Sequence, residues 1–337
     1  VELTIIGKTD IGSMREENQD ALGDLKLDGG AFLAVADGMG GYAGGSLAAR
    51  LAIDKLLEHV EEHWKKQDCQ PREILRDAVQ AANKAVREKA LSNEELQDMG
   101  TTCVCALVCE DKYYLAHVGD SRAYLFRQGR LTLLTEDHTV IQQLIKKGKV
   151  GPLEASYHPS AGILMRCLGQ LEEVEPDLAG PEELQPGDRL MLCSDGLTGM
   201  VYEDEIAQVM TQKEMEPAGD TLIQMANEAG GFDNITVGIL QAGVFPEDAG
   251  DWDLIVDSPE GLALLAAEGR LPPDIDQKTL RHTVVMPAVG GEVAEPTLPS
   301  VAHQEEWKPG RDRLKVLLLV GGVLILLAAG GLYFLLD

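Results

Sequence analysis

Hydrophobic positions along residues 1–243 fall into two regimes. Residues 31–36, AFLAVA, form an unbroken apolar run that suits a strand buried on both faces. Between Gly44 and Trp64, Leu47, Leu51, Leu56, Leu57, Val60 and Trp64 recur at helical spacing. Ile74, Ala78, Ala81 and Ala85 do the same between Arg72 and Leu91, so two helices follow one another. The stretch 101–134 reads instead as successive strands, TTCVCALV, YYLAHVG, SRAYLFR and RLTLL, joined by the short turns CEDK, GD and RQG. This predicts a meander of antiparallel strands. Strands cluster apart from helices, which points to an α+β sandwich and away from a doubly wound nucleotide fold.

The pattern changes after VGILQAG. Residues 244–313 hold many of the prolines, show no sustained period and carry more acidic than basic residues, so they are expected to form an extended linker. Within it, SPEGLALLAAEGRL could make a short amphipathic helix. Val316 to Leu336 then runs 21 residues without a charge. A helix that long spans roughly 30 Å at about 1.5 Å per residue, which matches a bilayer core. The expected organisation is therefore 1–243 globular domain, 244–313 linker and 314–336 transmembrane helix. Lys308, Arg311, Arg313 and Lys315 precede the span and only Asp337 follows it, so the positive-inside rule puts the globular domain in the cytoplasm. Gly321, Gly322, Gly330 and Gly331 offer a face through which two such helices could pair.

Composition narrows the function classes. The formal charge of -27 argues against a nucleic-acid partner, because phosphate-backbone binding depends on clustered Lys and Arg. Six cysteines in 337 residues do not make a disulfide scaffold; Cys103 and Cys105 sit in a strand-like run as small buried hydrophobes, and reduced thiols agree with an intracellular setting. His59-Val60-Glu61-Glu62-His63 satisfies a zinc-peptidase pattern, but both histidines lie at the border of the helix stripe among charged residues, where a solvated face is the simpler reading. No cysteine has an arginine six residues on, so a cysteine-dependent phosphatase is excluded, and G-x-S-x-G is absent.

The chemistry concentrates at strand ends. AFLAVADGMGG runs an apolar strand straight into Asp37, with Gly38, Gly40 and Gly41 behind it. Val118-Gly119-Asp120-Ser121-Arg122 and Leu192-Cys193-Ser194-Asp195-Gly196 repeat the pattern, and Gly230-Gly231-Phe232-Asp233-Asn234 places a fourth aspartate just ahead of ITVGIL. If these ends converge, the carboxylates repel one another unless they hold hard cations, and Mg²⁺ or Mn²⁺ favour such oxygen ligands.

Taken in order, REENQD, VADGMGG, GTT, HVGDSRAYLFR, TEDHT, RCLG, CSDGLTGMV and FDNITV resemble the metal-dependent PPM/PP2C protein serine/threonine phosphatases in their bacterial form. The resemblance covers residues 1 to about 243. It implies an α-β-β-α sandwich of two antiparallel sheets flanked by helices, with two Mn²⁺ or Mg²⁺ ions at one edge. By the same resemblance Asp37 bridges both ions, the Gly38 carbonyl is a further ligand, Asp195 and Asp233 complete one ion, and Asp20 supports the other. Asp120 with Asp195 matches the third-ion position of bacterial members, and Arg15 matches the arginine that holds the substrate phosphate, a role suited to its planar fork. Substrates are then phosphorylated proteins, with Ser/Thr kinases and their targets the family-level expectation. Met39 departs from the pattern, since eukaryotic members often place a histidine there and methionine cannot donate a proton. His138 is a further proton-donor candidate, with helix capping or packing as its plainer reading. The flap at 146–166 carries Met165 where Thr is common. A catalytically silent, membrane-anchored member that binds phosphoproteins stands as the alternative.

Overall fold

The computed structural model describes residues 1–66, 70–155, 158–259 and 261–263. The expected linker beyond residue 263, most of its short amphipathic helix and the expected span at 314–336 lie outside the described residues. Among the described residues no helix is long and apolar enough to cross a membrane.

Strands β1 (Leu3–Asp10), β2 (Asp20–Leu27) and β3 (Gly30–Met39) lead into helices α1 (Gly41–Lys66) and α2 (Pro71–Leu91). Then come β4 (Gly100–Thr101), β5 (Cys103–Cys109), β6 (Lys112–Val118), β7 (Arg122–Arg127), β8 (Arg130–Leu133), α3 (Val140–Lys146) and α4 (Pro152–Ala155). The remainder is β9 (Asp177–Glu183), β10 (Arg189–Cys193), α5 (Asp195–Thr198), α6 (Glu203–Val209), α7 (Met215–Glu228), β11 (Ile235–Ala242) and β12 (Ile255–Asp257). One sheet has the order β1-β11-β10-β7-β8-β12 and the other β2-β3-β5-β6-β9, with β4 added alongside β3.

Three apolar layers hold these sheets together. Along β3, Ala31, Leu33 and Val35 point between the sheets, where with Val104, Ala106 and Leu115 of their own sheet they meet Leu190, Leu192 and Leu240 of the opposite one. Phe32, Ala34 and Ala36 face the other way, onto Ala48, Ala52 and Leu56 of α1 and Leu75 and Val79 of α2. Side chains alternate along a strand, so a run apolar at every position is the mark of one covered on both sides. On the far sheet, Tyr124, Phe126, Met191, Val237 and Ile239 meet Ile206 of α6 and Leu222 of α7. The result is the expected α-β-β-α order.

Three expectations need correction. The strands of 101–134 do not form one meander: β5 and β6 pair in one sheet, β7 and β8 in the other, and the chain crosses between sheets at Gly119–Ser121. Both edges of β6 are taken, by β5 and β9, so β7 pairs with β10 and β8 instead. Nor are both sheets wholly antiparallel, because β12 lies parallel to β8. That strand also shows that the packed structure continues past residue 243. Phe245, Ala249 and Val256 are buried against the β7–β10–β11 sheet and its helices, and Ser258 hydrogen-bonds Glu203. A three-residue strand among prolines has too short a period to register in sequence and forms because tertiary partners complete it.

Arg189 anchors this region. It is fully buried on β10, with Nη1 donating to the carbonyls of Met210 (2.9 Å) and Gln212 (2.6 Å), Nη2 to Lys213 (2.8 Å) and Nε to Gln241 (2.9 Å). Its guanidinium lies 3.5 Å over the Phe245 ring. Burial pulls its pKa down to about 10, still far above neutrality, so the charge persists and depends on these partners. Arg189→Met should therefore destabilise the domain by about 3 kcal/mol, since it strands several buried carbonyls after α6. Chemical denaturation is the measurement, and a change below about 0.5 kcal/mol, the range of an ordinary surface substitution, would contradict it.

Candidate metal centre

The strand-end aspartates are carried by both sheets and meet at one edge. Asp20, the first residue of β2, stands directly opposite Asp37 of β3 in the ladder. Asp195 opens α5 one residue past β10, with Ser194 between, and Asp233 lies two residues before β11 begins at Ile235. Asp120 lies in the crossing between sheets. There Gly119 has φ of +110°, and a Cβ would press on Thr102, so this turn requires glycine. Gly38 answers the tight spacing behind Asp37, because a Cβ there would collide with the Gly45 carbonyl.

Arg15 and Arg122 offset these carboxyls only in part. Burial pushes Asp20 up to about 7 despite the hydrogen bond from Ser194 Oγ to its Oδ2 at 2.7 Å, and the charges of Asp195 and Asp233 add to the rise. Burial and then Asp195 raise Asp120 to about 7. Asp37 is driven well above the carboxylate range by burial, Asp195 and Asp20, and Asp195 rises through burial and Asp233. Oδ1 of Asp20 and Oδ1 of Asp195 are buried without a protein hydrogen-bond partner. Clustered carboxylates with unpartnered oxygens, beside the Gly38 carbonyl, fit hard divalent ions such as Mn²⁺ and Mg²⁺.

Arg15 sits half-exposed on the β1–β2 loop at the rim of this cluster. Its Nη2 contacts Asp233 Oδ2 at 2.7 Å and its Nε donates to the Phe232 carbonyl at 3.3 Å. All the residues expected at the site are thus brought to one edge. Met39 ends β3 there and offers no proton. His138 is buried, and both of its ring nitrogens face protein groups: Nδ1 accepts from the Gly119 amide and Nε2 faces Asp177. It is not placed to protonate a leaving group.

Sequence reading passed over the residues that hold the ligands' backbone. Thr102 N donates to the Asp37 carbonyl at 2.8 Å, Asp37 N donates to Thr102 Oγ1 at 2.9 Å, and Thr101 Oγ1 donates to the same carbonyl at 2.8 Å. Asn234 accepts from Gln19 N and donates to the carbonyls of Ile11 and Glu17, pinning the loop that carries Arg15. Their signal was present in GTT and FDNITV, but hydroxyl and amide residues at a turn do not announce their partners. A cleft of about 570 Å³ lies elsewhere, between Glu136–Lys147 and Met165–Arg166 at the root of the flap, and none of the five clustered aspartates lines it. His59 and His63 stack on each other at 4.0 Å and form no metal-binding group among the described residues.

A family model described as protein phosphatase 2C matches residues 12–236. The serine/threonine phosphatase stp of Listeria monocytogenes is 38% identical over 233 residues, covering 68% of this chain and 92% of its own. The serine/threonine protein phosphatase PstP of Mycobacterium tuberculosis is 35% identical over 281 residues, 83% of this chain, which therefore spans half (50%) of that relative's length. The catalytic domain of PstP solved with 2 manganese ions superposes with a TM-score of 0.62 at 36% identity, covering 71% of this chain and 97% of that one. A family match of this extent, with relatives of this identity and coverage, makes the chain a member of the protein phosphatase 2C family, the metal-dependent serine/threonine protein phosphatases.

Proposed function

We propose that the protein hydrolyses phosphoserine and phosphothreonine in proteins at the edge where Asp20, Asp37, Gly38, Asp120, Asp195 and Asp233 gather. The observation that carries this reading is the set of buried, mutually repelling carboxyls with unpartnered oxygens. Mn²⁺ or Mg²⁺ held there supplies charge neutralisation for the phosphoryl group and an activated water. Asp20 stands across the ladder from Asp37, the Gly38 carbonyl follows Asp37 on β3, and Asp195 and Asp233 are carried by the other sheet. Arg15 exchanges Asp233 for two phosphate oxygens, which its guanidinium can grip side by side. Because Met39 cannot donate and His138 faces inward, the departing alkoxide takes its proton from water or from a residue other than these two. The natural substrates are proposed to be phosphorylated Ser/Thr kinases and their targets. Nothing in the site supports a catalytically silent role, since every expected carboxylate is present.

The chain is proposed to be anchored by residues 316–336 with the phosphatase domain in the cytoplasm, an inference from the uncharged run and the basic residues before it. Fractionation with protease protection tests it: the expected result is membrane-bound protein whose phosphatase domain is protected in intact spheroplasts and digested in inside-out vesicles. Recovery of all full-length protein in the soluble fraction would refute the anchor.

Kinetics on p-nitrophenyl phosphate and a phosphothreonine peptide should show turnover that depends on added Mn²⁺. Asp37→Asn should lower kcat roughly a thousandfold or more, because it removes charge stabilisation from the transition state. Arg15→Ala should act on phosphopeptide KM, raising it about tenfold with a smaller effect on kcat. Full activity after chelation, or an unchanged KM for Arg15→Ala, would contradict these roles.

Stability should also respond to pH in a defined direction. Asp20 and Asp120 titrate at about 7 in the folded, metal-free protein, against about 4 when unfolded. The folded state keeps protons that the unfolded state releases, so their contribution is complete below about pH 4 and is lost as pH rises to about 7. Chelated protein should melt at lower temperature at about pH 8 than at about pH 5.5, and Mn²⁺ should raise Tm more at the higher pH. Calorimetry that found the reverse order would overturn the charge assignment.

A further inference from the structure

Outside the ligand set, one cluster of titratable side chains stands out: His117, His138 and Asp177, whose donor atoms lie within 4.8 Å of one another. It has the composition of a metal site, and His138 Nε2 is buried without a hydrogen-bond partner, but the other contacts of the trio oppose an ion. His138 Nδ1 accepts from the Gly119 amide at 3.1 Å, so in the neutral ring the proton sits on Nε2, which faces Asp177 Oδ2 at 3.3 Å. His117 Nε2 lies 2.8 Å from the Glu136 carbonyl, which makes that nitrogen a donor too. Arg166 Nη1 already contacts Asp177 Oδ1 at 2.7 Å. A cation would have to displace a proton and face a guanidinium.

The same bonds describe a different device. Both polar groups of the Gly119 peptide face His138: the amide donates to the ring, and the carbonyl accepts from His138 N at 2.9 Å. Gly119 is the left-handed residue that turns the chain toward Asp120. From the other side, the His138 carbonyl accepts from Met165 N at 2.7 Å, Val140 N donates to Ile163, and Thr139 bridges Leu164. The two imidazoles stack at 4.5 Å, which fixes the plane of the His138 ring. We propose that His138 is a positioning residue that sets the Asp120 turn at the metal edge and ties that turn to the flap, with Asp177 orienting its ring. Burial and the neighbouring His117 pull His138 down to about 4, so near neutrality the ring keeps the lone pair this contact needs. Removing a group that orients a ligand typically costs about 10- to 100-fold in ion affinity.

The inference rests on Asp120 being an ion ligand, and the test separates the two. Mn²⁺ titration of the full chain by calorimetry is compared for the parent, His138→Asn, His138→Gln, Asp177→Ala and Asp120→Asn, with hydrogen exchange at the Gly119 amide alongside. The Asn oxygen takes the place of Nδ1, whereas Gln reaches only the Nε2 position. The expected result is that Asp120→Asn abolishes one class of ion, His138→Gln weakens the same class about tenfold, and His138→Asn stays within about threefold of the parent. Gly119 exchange should quicken in His138→Gln and stay slow in His138→Asn. Asp177→Ala, a change at a half-exposed side chain with little folding risk, should weaken that ion class by less than His138→Gln and still measurably. Equal losses in Asn and Gln, or no loss in Gln and Asp177→Ala while Asp120→Asn abolishes the ion, would overturn the positioning role alone. An unchanged titration in Asp120→Asn would overturn the ligand reading and this inference with it. Stoichiometric zinc in the parent that disappears in Asp177→Ala would make the trio a metal site and end the proposal.

Discussion

The cost of gathering unscreened carboxyls at one edge of a sandwich governs this protein. A buried carboxylate without a partner is unfavourable by several kcal/mol, and each like-charged neighbour adds to it. Asp20, Asp37, Asp120 and Asp195 are all pushed toward protonation by burial and by one another, and Arg15 is the cation that touches the rim, through Asp233. The scaffold must therefore hold, by its apolar layers, an arrangement that electrostatics alone would scatter. Divalent ions bound there, as proposed, would convert the same repulsion into affinity and tie catalysis and local stability to one site.

That scaffold works by removing freedom from the backbone near the ligands. Asp37, Asp195 and Asp233 flank β3, β10 and β11, whose bodies are covered almost throughout, so these strand ends cannot drift. Thr101 and Thr102 clamp the Asp37 peptide, Ser194 holds Asp20, and Asn234 ties the Arg15 loop to the start of β11. Asp120, by contrast, sits in a crossing between sheets. A positive-φ glycine and a buried histidine replace strand pairing there.

The packing of residues 244–263 shows the opposite economy. Phe245 lies under the Arg189 guanidinium, Trp252 lies against Phe126, and β12 extends the sheet beside β8, with Arg130 and Asp257 paired at 3.2 Å. None of these contacts reaches the carboxyl edge. They complete the far layer, where a buried arginine would otherwise face open carbonyls.

Much of the molecule was legible in residue order. The apolar run of β3, the helical stripes of α1 and α2 and the aspartates closing successive strands are local patterns, because alternation and 3.6-residue spacing report which faces are covered. Burial of Cys103 and Cys105 followed from the same periodicity. Periodicity does not say which strand lies beside which. Hence the run from 101 to 134 looked continuous although β6 and β7 belong to different sheets, and β12 was invisible because three residues carry no period. The partner of Arg15 is 218 residues away, and the contact between His138 and Gly119 joins a flap root to a metal-edge turn. Such pairings arise only when the sheets pack, since a side chain's neighbours in sequence fix its periodicity and its neighbours in space fix its charge state, its hydrogen bonds and its role.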